Sequence, residues 1–134
     1  MYDPFVYLGL LADQTERIAL GVASIILPLR HPAYVAKASA SVDALSNGRL
    51  ILGVASGDRP TEYPALNLPF GDRGARFRAS FDSIRRMSED APAFENMYGS
   101  PSGGMDMLPK PACASIRCRT HAYGQALRVD RRAD

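Results

Sequence analysis

Apolar residues recur at helical spacing in three stretches of the chain and fall on successive positions in two. Asp3-Pro4 has the form of a helix start, an acidic N-cap followed by proline at the first helical position. Phe5, Leu8 and Leu11-Ala12 then mark one helix face as far as Asp13. "RIALGVASIIL" follows, rich enough in β-branched and aliphatic residues to predict a buried strand over residues 17–22. His31-Pro32 returns the pattern to helix, with Val35, Ala38, Val42 and Leu45 at steps of three and four. Asn47-Gly48 supplies the left-handed stop that ends such a helix. Arg49 leads directly into "LILGV", a second apolar run that predicts a strand. Pro60 or Thr61 opens a short helical turn, and Asp72 caps a longer helix with Phe77, Phe81, Ile84 and Met87 on one side.

Strand, helix, strand in this order is a βαβ unit, whose helix returns the chain to a parallel neighbour. Both strands are apolar on successive residues, as expected where both sheet faces are covered. The fold class is therefore α/β. In such folds ligands gather at the carboxyl ends of the strands, where loops and helix starts converge. Two such ends are present, and both read Gly-Val-Ala-Ser, at residues 21–24 and 53–56. The second continues as "GDRP". Small residues here either allow tight turns or leave room for a flat ligand against the backbone, and the amides of Ser56, Gly57 and Asp58 could meet an anion.

Composition narrows the function without naming it. At 134 residues, 46% hydrophobic and 22% charged, the chain suits one globular domain rather than a disordered one. A net charge of +2 gives no argument for a nucleic acid or membrane partner. The amino terminus lacks a secretory pattern and the longest apolar run, over residues 18–29, is too short to span a membrane, so a cytoplasmic location is expected. Cys113 and Cys118 have no partners at zinc-site spacing, so no metal site is expected. Among other polar residues, His31 shapes a helix start, His121 is solvent-exposed, and Asp43 with Arg49 form a structural ion pair around the turn. Asp58 and Glu62 belong to a solvated loop, and Arg73, Arg76 and Arg78 form a wet helix face.

Taken in order, Thr15, Arg17-Ile18, Leu20-Gly21, His31-Pro32, Leu45-Ser46-Gly48-Arg49, Leu52-Gly53-Val54, Gly57 and Glu62 resemble the luciferase-like monooxygenases. The likeness extends over about residues 3–111, and "MLPKP" at Met107 to Pro111 is similar to one bacterial subgroup. Members of that family are flavin-dependent oxidoreductases on a (β/α)8 TIM barrel. The resemblance implies that the two strands here correspond to the third and fourth of the barrel, whose ends lie against the flavin ring. Ala23-Ser24 matches a pair joined in several members by a non-proline cis peptide beneath the ring, and Ala55-Ser56 matches the second contact. The reactive cysteine and phosphate-binding arginine of bacterial luciferase itself fall at Ala55 and Ser56, and neither is present.

By that resemblance the expected cofactor contacts are Ala23, Ser24, Ala55, Ser56, Gly57 and Asp58, with FMN the cofactor or a deazaflavin the alternative. A small-molecule substrate is implied, and no catalytic side chain is singled out. A full barrel needs about 250 residues, so the chain is expected to be a partial barrel, a fragment with little activity alone. Its exposed barrel edges would invite self-association. The alternative is a non-catalytic remnant or a flavin-binding interaction protein. The expected division is a barrel domain over 1–111 and an atypical arginine-rich tail over 112–134, frameshifted or disordered.

Overall fold

The computed structural model describes residues 2–88 and 108–109. The expected loop over 91–111, apart from Leu108-Pro109, and the tail over 112–134 with Cys113, Cys118 and His121 lie outside the described residues. Helix α1 (Pro4–Gln14) leads to strand β1 (Leu20–Ile26), helix α2 (Pro32–Leu45), strand β2 (Leu50–Ala55) and helix α3 (Arg73–Met87). Short 3-10 turns occupy Leu27–Leu29, Pro60–Glu62 and Pro64–Leu66.

The helix starts follow the sequence closely. The Asp3 carboxylate accepts the Phe5 N–H at 2.9 Å, and Pro4 fills the position where a missing N–H costs nothing. That carboxylate also receives Arg30 Nη1 at 2.8 Å, tying the start of α1 to the chain just beyond β1. Burial pushes the Asp3 carboxyl up, but the hydrogen bonds from Arg30 and Phe5 outweigh it and hold it below the ordinary carboxylate value. His31 is the N-cap of α2, its Nδ1 accepting from Ala33 N–H at 3.3 Å, so the reading of His31 as a helix starter holds. Asp72 stands at the N-cap of α3, where its backbone carbonyl, rather than its carboxylate, accepts from Arg76 N–H at 3.0 Å.

The turn after α2 closes by the Schellman pattern. Gly48 N–H donates to the Asp43 carbonyl at 2.8 Å and Asn47 N–H to Ala44 at 3.2 Å, with Asn47 at φ 54° and Gly48 at φ 78°. The buried stripe of α2 differs from the expected one. Val35 and Val42 are buried, but Leu45 is 71% exposed and the stripe runs instead through Ser39 and Ser46. Those serines satisfy themselves inside the core, donating to the carbonyls of Ala36 at 3.1 Å and Asp43 at 3.2 Å. A periodicity built from apolar letters alone passes over them.

β1 and β2 pair in parallel, with Leu20 opposite Leu50, Val22 opposite Leu52 and Ile26 opposite Ala55. β1 begins later than the predicted 17–22 because the ladder starts where Leu20 N–H meets the Arg49 carbonyl at 2.9 Å; it also runs on through Ile26. Between Val22 and Ile25 the register shifts, so that Ala23 and Ser24 together face Gly53. A Cβ at Gly53 would collide with the Val22 carbonyl oxygen, and this close approach requires glycine there. Leu8, Leu20, Ile25, Val35, Leu52 and Phe81 belong to one apolar cluster beneath the sheet. The expectation of two covered faces holds for β2 at residues 52–54 and fails for β1, whose Gly21 and Ala23 are exposed.

Candidate functional site

The βαβ crossover brings the two Gly-Val-Ala-Ser stretches side by side with the same polarity, so both strands deliver their small residues to one end. Ala23 is exposed, while Ser24, Ala55, Ser56 and Gly57 are half-buried, and Asp58 reaches solvent beyond them. The Ala23–Ser24 peptide is cis. With Gly53 admitting the β1 backbone at the bulge, the strand ends present main chain and methyl or hydroxymethyl groups rather than bulk. A planar group could lie against such a surface, held by backbone donors. The chemistry of this set, small side chains and main chain with no buried charged side chain, is compatible with a planar ring such as a flavin.

The loop after β2 is organised by a residue that the sequence reading did not single out. Tyr63 is completely buried, and its hydroxyl donates to the Ser56 carbonyl at 2.5 Å. The Tyr63 carbonyl in turn accepts the N–H groups of Leu66 at 3.0 Å and Leu68 at 3.1 Å. Its ring meets Phe70 edge-on at 5.1 Å, and the Arg73 guanidinium lies 3.9 Å above the Phe70 ring. Burial raises the Tyr63 phenol above its ordinary value; Arg73 opposes that shift and Glu62 adds to it. Gly57 sits at φ 79°, and a Cβ there would come within 2.7 Å of Ile26 Cγ2 and 2.9 Å of the Tyr63 hydroxyl. The signal in the sequence is a pair of aromatic residues, Tyr63 and Phe70, at the two ends of a proline-containing loop, "EYPALNLPF".

Other expected groupings resolve as structural. Glu62 pairs with Arg59 at 3.5 Å on exposed ground, away from any arrangement with Asp58. The corner at Arg49 is held by hydrogen bonds in place of the ion pair expected with Asp43. The guanidinium donates to Ser46 O at 2.7 Å, Thr15 Oγ1 at 2.9 Å, Ile18 O at 3.0 Å, Ala12 O at 3.0 Å and Thr15 O at 2.7 Å. That uses all five donors of the fork. Asp43 is buried and accepts Leu50 N–H at 3.3 Å. Among the described residues no group of three or more His, Cys, Asp or Glu could hold a metal ion, and no helix is long and apolar enough to cross a membrane.

The fold agrees with what comparison with known proteins finds. Residues 1–116 match the family described as luciferase-like monooxygenase, and the chain belongs to that family. The chain is similar to the oxygenase component of the flavin-dependent trigonelline monooxygenase of Acinetobacter baylyi, at 31% identity over 72% of this chain and 24% of that one. It is 42% identical to the F420-dependent glucose-6-phosphate dehydrogenase of Beutenbergia cavernae over 60% of this chain and 25% of that one. The crystal structure of monooxygenase RslO1 from Streptomyces bottropensis superposes with a TM-score of 0.76 and 27% identity, covering 88% of this chain and 36% of that one. The chain thus spans about a quarter to a third of the length of these relatives, and its fold corresponds to part of their barrel.

Proposed function

We propose that the protein is a portion of a cytoplasmic flavin-dependent oxidoreductase whose βαβ unit forms one side of the flavin site. The observation that carries this reading is the pair of adjoining strand ends, Ala23-Ser24 and Ala55-Ser56-Gly57, kept free of bulk by the glycine at position 53. FMN is the first choice, and a deazaflavin of the kind named in the Beutenbergia relative is the alternative. When bound, the flavin supplies the redox chemistry, transferring electrons between a small-molecule substrate and a second reactant. What this chain's residues do is narrower. Ala23 and Ser24 give the ring a flat place to lie, the amides near Gly57 offer donors to its polar edge, and the apolar cluster beneath the strands keeps both ends rigid. Acid–base steps are assigned to residues elsewhere in a complete barrel.

In this reading residues 1–111 are barrel and residues 112–134 are foreign to it. The two strands alone carry little or no turnover, and their unpaired edges favour self-association. The test is an FMN titration of the purified chain followed by quenching of flavin fluorescence, with coupled turnover measured alongside. Weak binding that Ser24→Phe abolishes, with an unchanged circular dichroism spectrum, is the expected result. Equal affinity in Ser24→Phe would remove the strand ends from the site. Tight stoichiometric binding with turnover would show that these residues suffice for a complete enzyme.

A further inference from the structure

We propose that Tyr63 is a positioning residue: by holding the Ser56 carbonyl, its hydroxyl turns the Ser56–Gly57 peptide so that the Gly57 N–H faces the open strand end. The inference rests on the reading of that end as a flavin site, and it adds the device that aims a donor into it.

The geometry comes from one peptide plane. Among the described residues only the Ala23–Ser24 and Leu108–Pro109 bonds are cis, so the Ser56–Gly57 bond is trans, and its C=O and N–H point in opposite directions. The carbonyl is drawn to a phenol that is completely buried. The N–H is therefore sent away from the core, and among the described residues no backbone oxygen outside the strand ladder receives it. Two features keep the plane from turning over. Gly57 occupies φ 79°, a backbone state that glycine enters without penalty, and its missing side chain is what lets Ile26 and the phenol close around it. Edge-on packing against Phe70 fixes the Tyr63 ring, so the hydroxyl cannot follow the carbonyl if the peptide rotates. Burial also keeps the phenol in its neutral, donating form.

A merely structural tyrosine would act through its ring. A positioning one acts through its oxygen, and Tyr63→Phe removes the oxygen alone. With Ser carbonyl carbons labelled with 13C and Gly amides with 15N, the full chain is compared by NMR as wild type, Tyr63→Phe and Phe70→Leu. Tyr63→Phe should move the Ser56 carbonyl and Gly57 amide resonances and weaken FMN binding about five- to tenfold, the effect of one net hydrogen bond. Phe70→Leu should lower the melting temperature while leaving the Gly57 amide in place. Wild-type chain carrying 3-fluorotyrosine keeps the shape and alters only the phenol's donor strength, so the Ser56 carbonyl should shift there even if Tyr63→Phe folds poorly. Unmoved Ser56 and Gly57 resonances in both the Tyr63→Phe and fluorotyrosine samples would overturn the proposal, as would equal FMN affinity in wild type and Tyr63→Phe. If wild type binds no FMN at all, the flavin reading falls, while the carbonyl and amide shifts still decide whether Tyr63 sets the peptide.

Discussion

Replacing Arg49 by methionine keeps most of its aliphatic stem and removes all five guanidinium donors, which separates the fork from the packing. The carbonyls of Ala12 and Thr15, at the end of α1, then lose the partner that caps them, and Ser46 and Ile18 lose theirs. An intramolecular hydrogen bond contributes about 0.5–1.5 kcal/mol net, and one from a charged donor up to about 3 kcal/mol. Five such contributions do not add, because one side chain makes them all. The Ile18 carbonyl is also exposed, so water replaces its donor at little cost. A loss of about 2–4 kcal/mol is the consistent expectation, a large share of the roughly 5–15 kcal/mol that holds a domain together. Urea unfolding followed by circular dichroism measures it as a lowered midpoint at constant slope. Arg49→Lys keeps the charge but not the planar fork, and should recover less than half of the loss. An unchanged midpoint in Arg49→Met, or full recovery by lysine, would refute the argument that the fork's geometry holds this corner.

Gly53→Ala should destabilise by about 1–3 kcal/mol, against the usual gain from removing a strand glycine, because its methyl meets the Val22 carbonyl. An unshifted urea midpoint would show that the bulge yields more readily than this. The Asp3 carboxyl lies below its ordinary value of 3.8 when folded. Its stabilising contribution is therefore complete above about pH 4 and is lost as pH falls through the lower folded value. Acid unfolding of Asp3→Asn should be correspondingly shallower in that window, and identical acid limbs would show that the Arg30 contact adds nothing. Phe81→Ala opens a cavity beside Ile84 and should cost about 3–5 kcal/mol in the same urea assay, and a cost under about 1 kcal/mol would place Phe81 outside the core.

Much of this fold was legible because its signals are local. Asp3-Pro4, His31-Pro32 and Asn47-Gly48 each fix a helix end within a few residues, and all three act as the sequence implies. The phase of α3, with Phe81 and Ile84 buried, needed only periodicity. The readings that failed depended on contacts distant in sequence. β1 starts at Leu20 because the Arg49 backbone, 29 positions on, begins its ladder there, and no propensity within residues 17–22 encodes that. Ser39 and Ser46 are buried because their hydroxyls can bond to their own helix, which a hydrophobicity pattern scores as exposure. The candidate site divides the same way. The smallness of Ala23-Ser24 and Ala55-Ser56 is visible in the letters, but the two-against-one register that makes Gly53 necessary exists only once the strands pair.

The polar contacts made by Arg49 and its neighbours, which close the βαβ unit, gather at the end of the strands opposite the candidate site. Arg49, Ser46 and Asp43 meet where β2 begins, and Thr15 joins them from the end of α1. At the carboxyl ends, apart from the Arg30–Asp3 pair beyond β1, the chain uses small residues, one left-handed glycine and the Tyr63 hydrogen bond. Barrel enzymes commonly place stability at the amino ends of their strands and chemistry at the carboxyl ends, and this unit carries that separation within two strands. It follows that Arg49→Met should lower the urea midpoint without moving the Gly57 amide resonance, whereas Tyr63→Phe should move that resonance at smaller cost to the midpoint. A shift of the Gly57 amide in Arg49→Met equal to that in Tyr63→Phe would mean that the two ends are coupled through the sheet, and that the site depends on the whole unit rather than on its own loop.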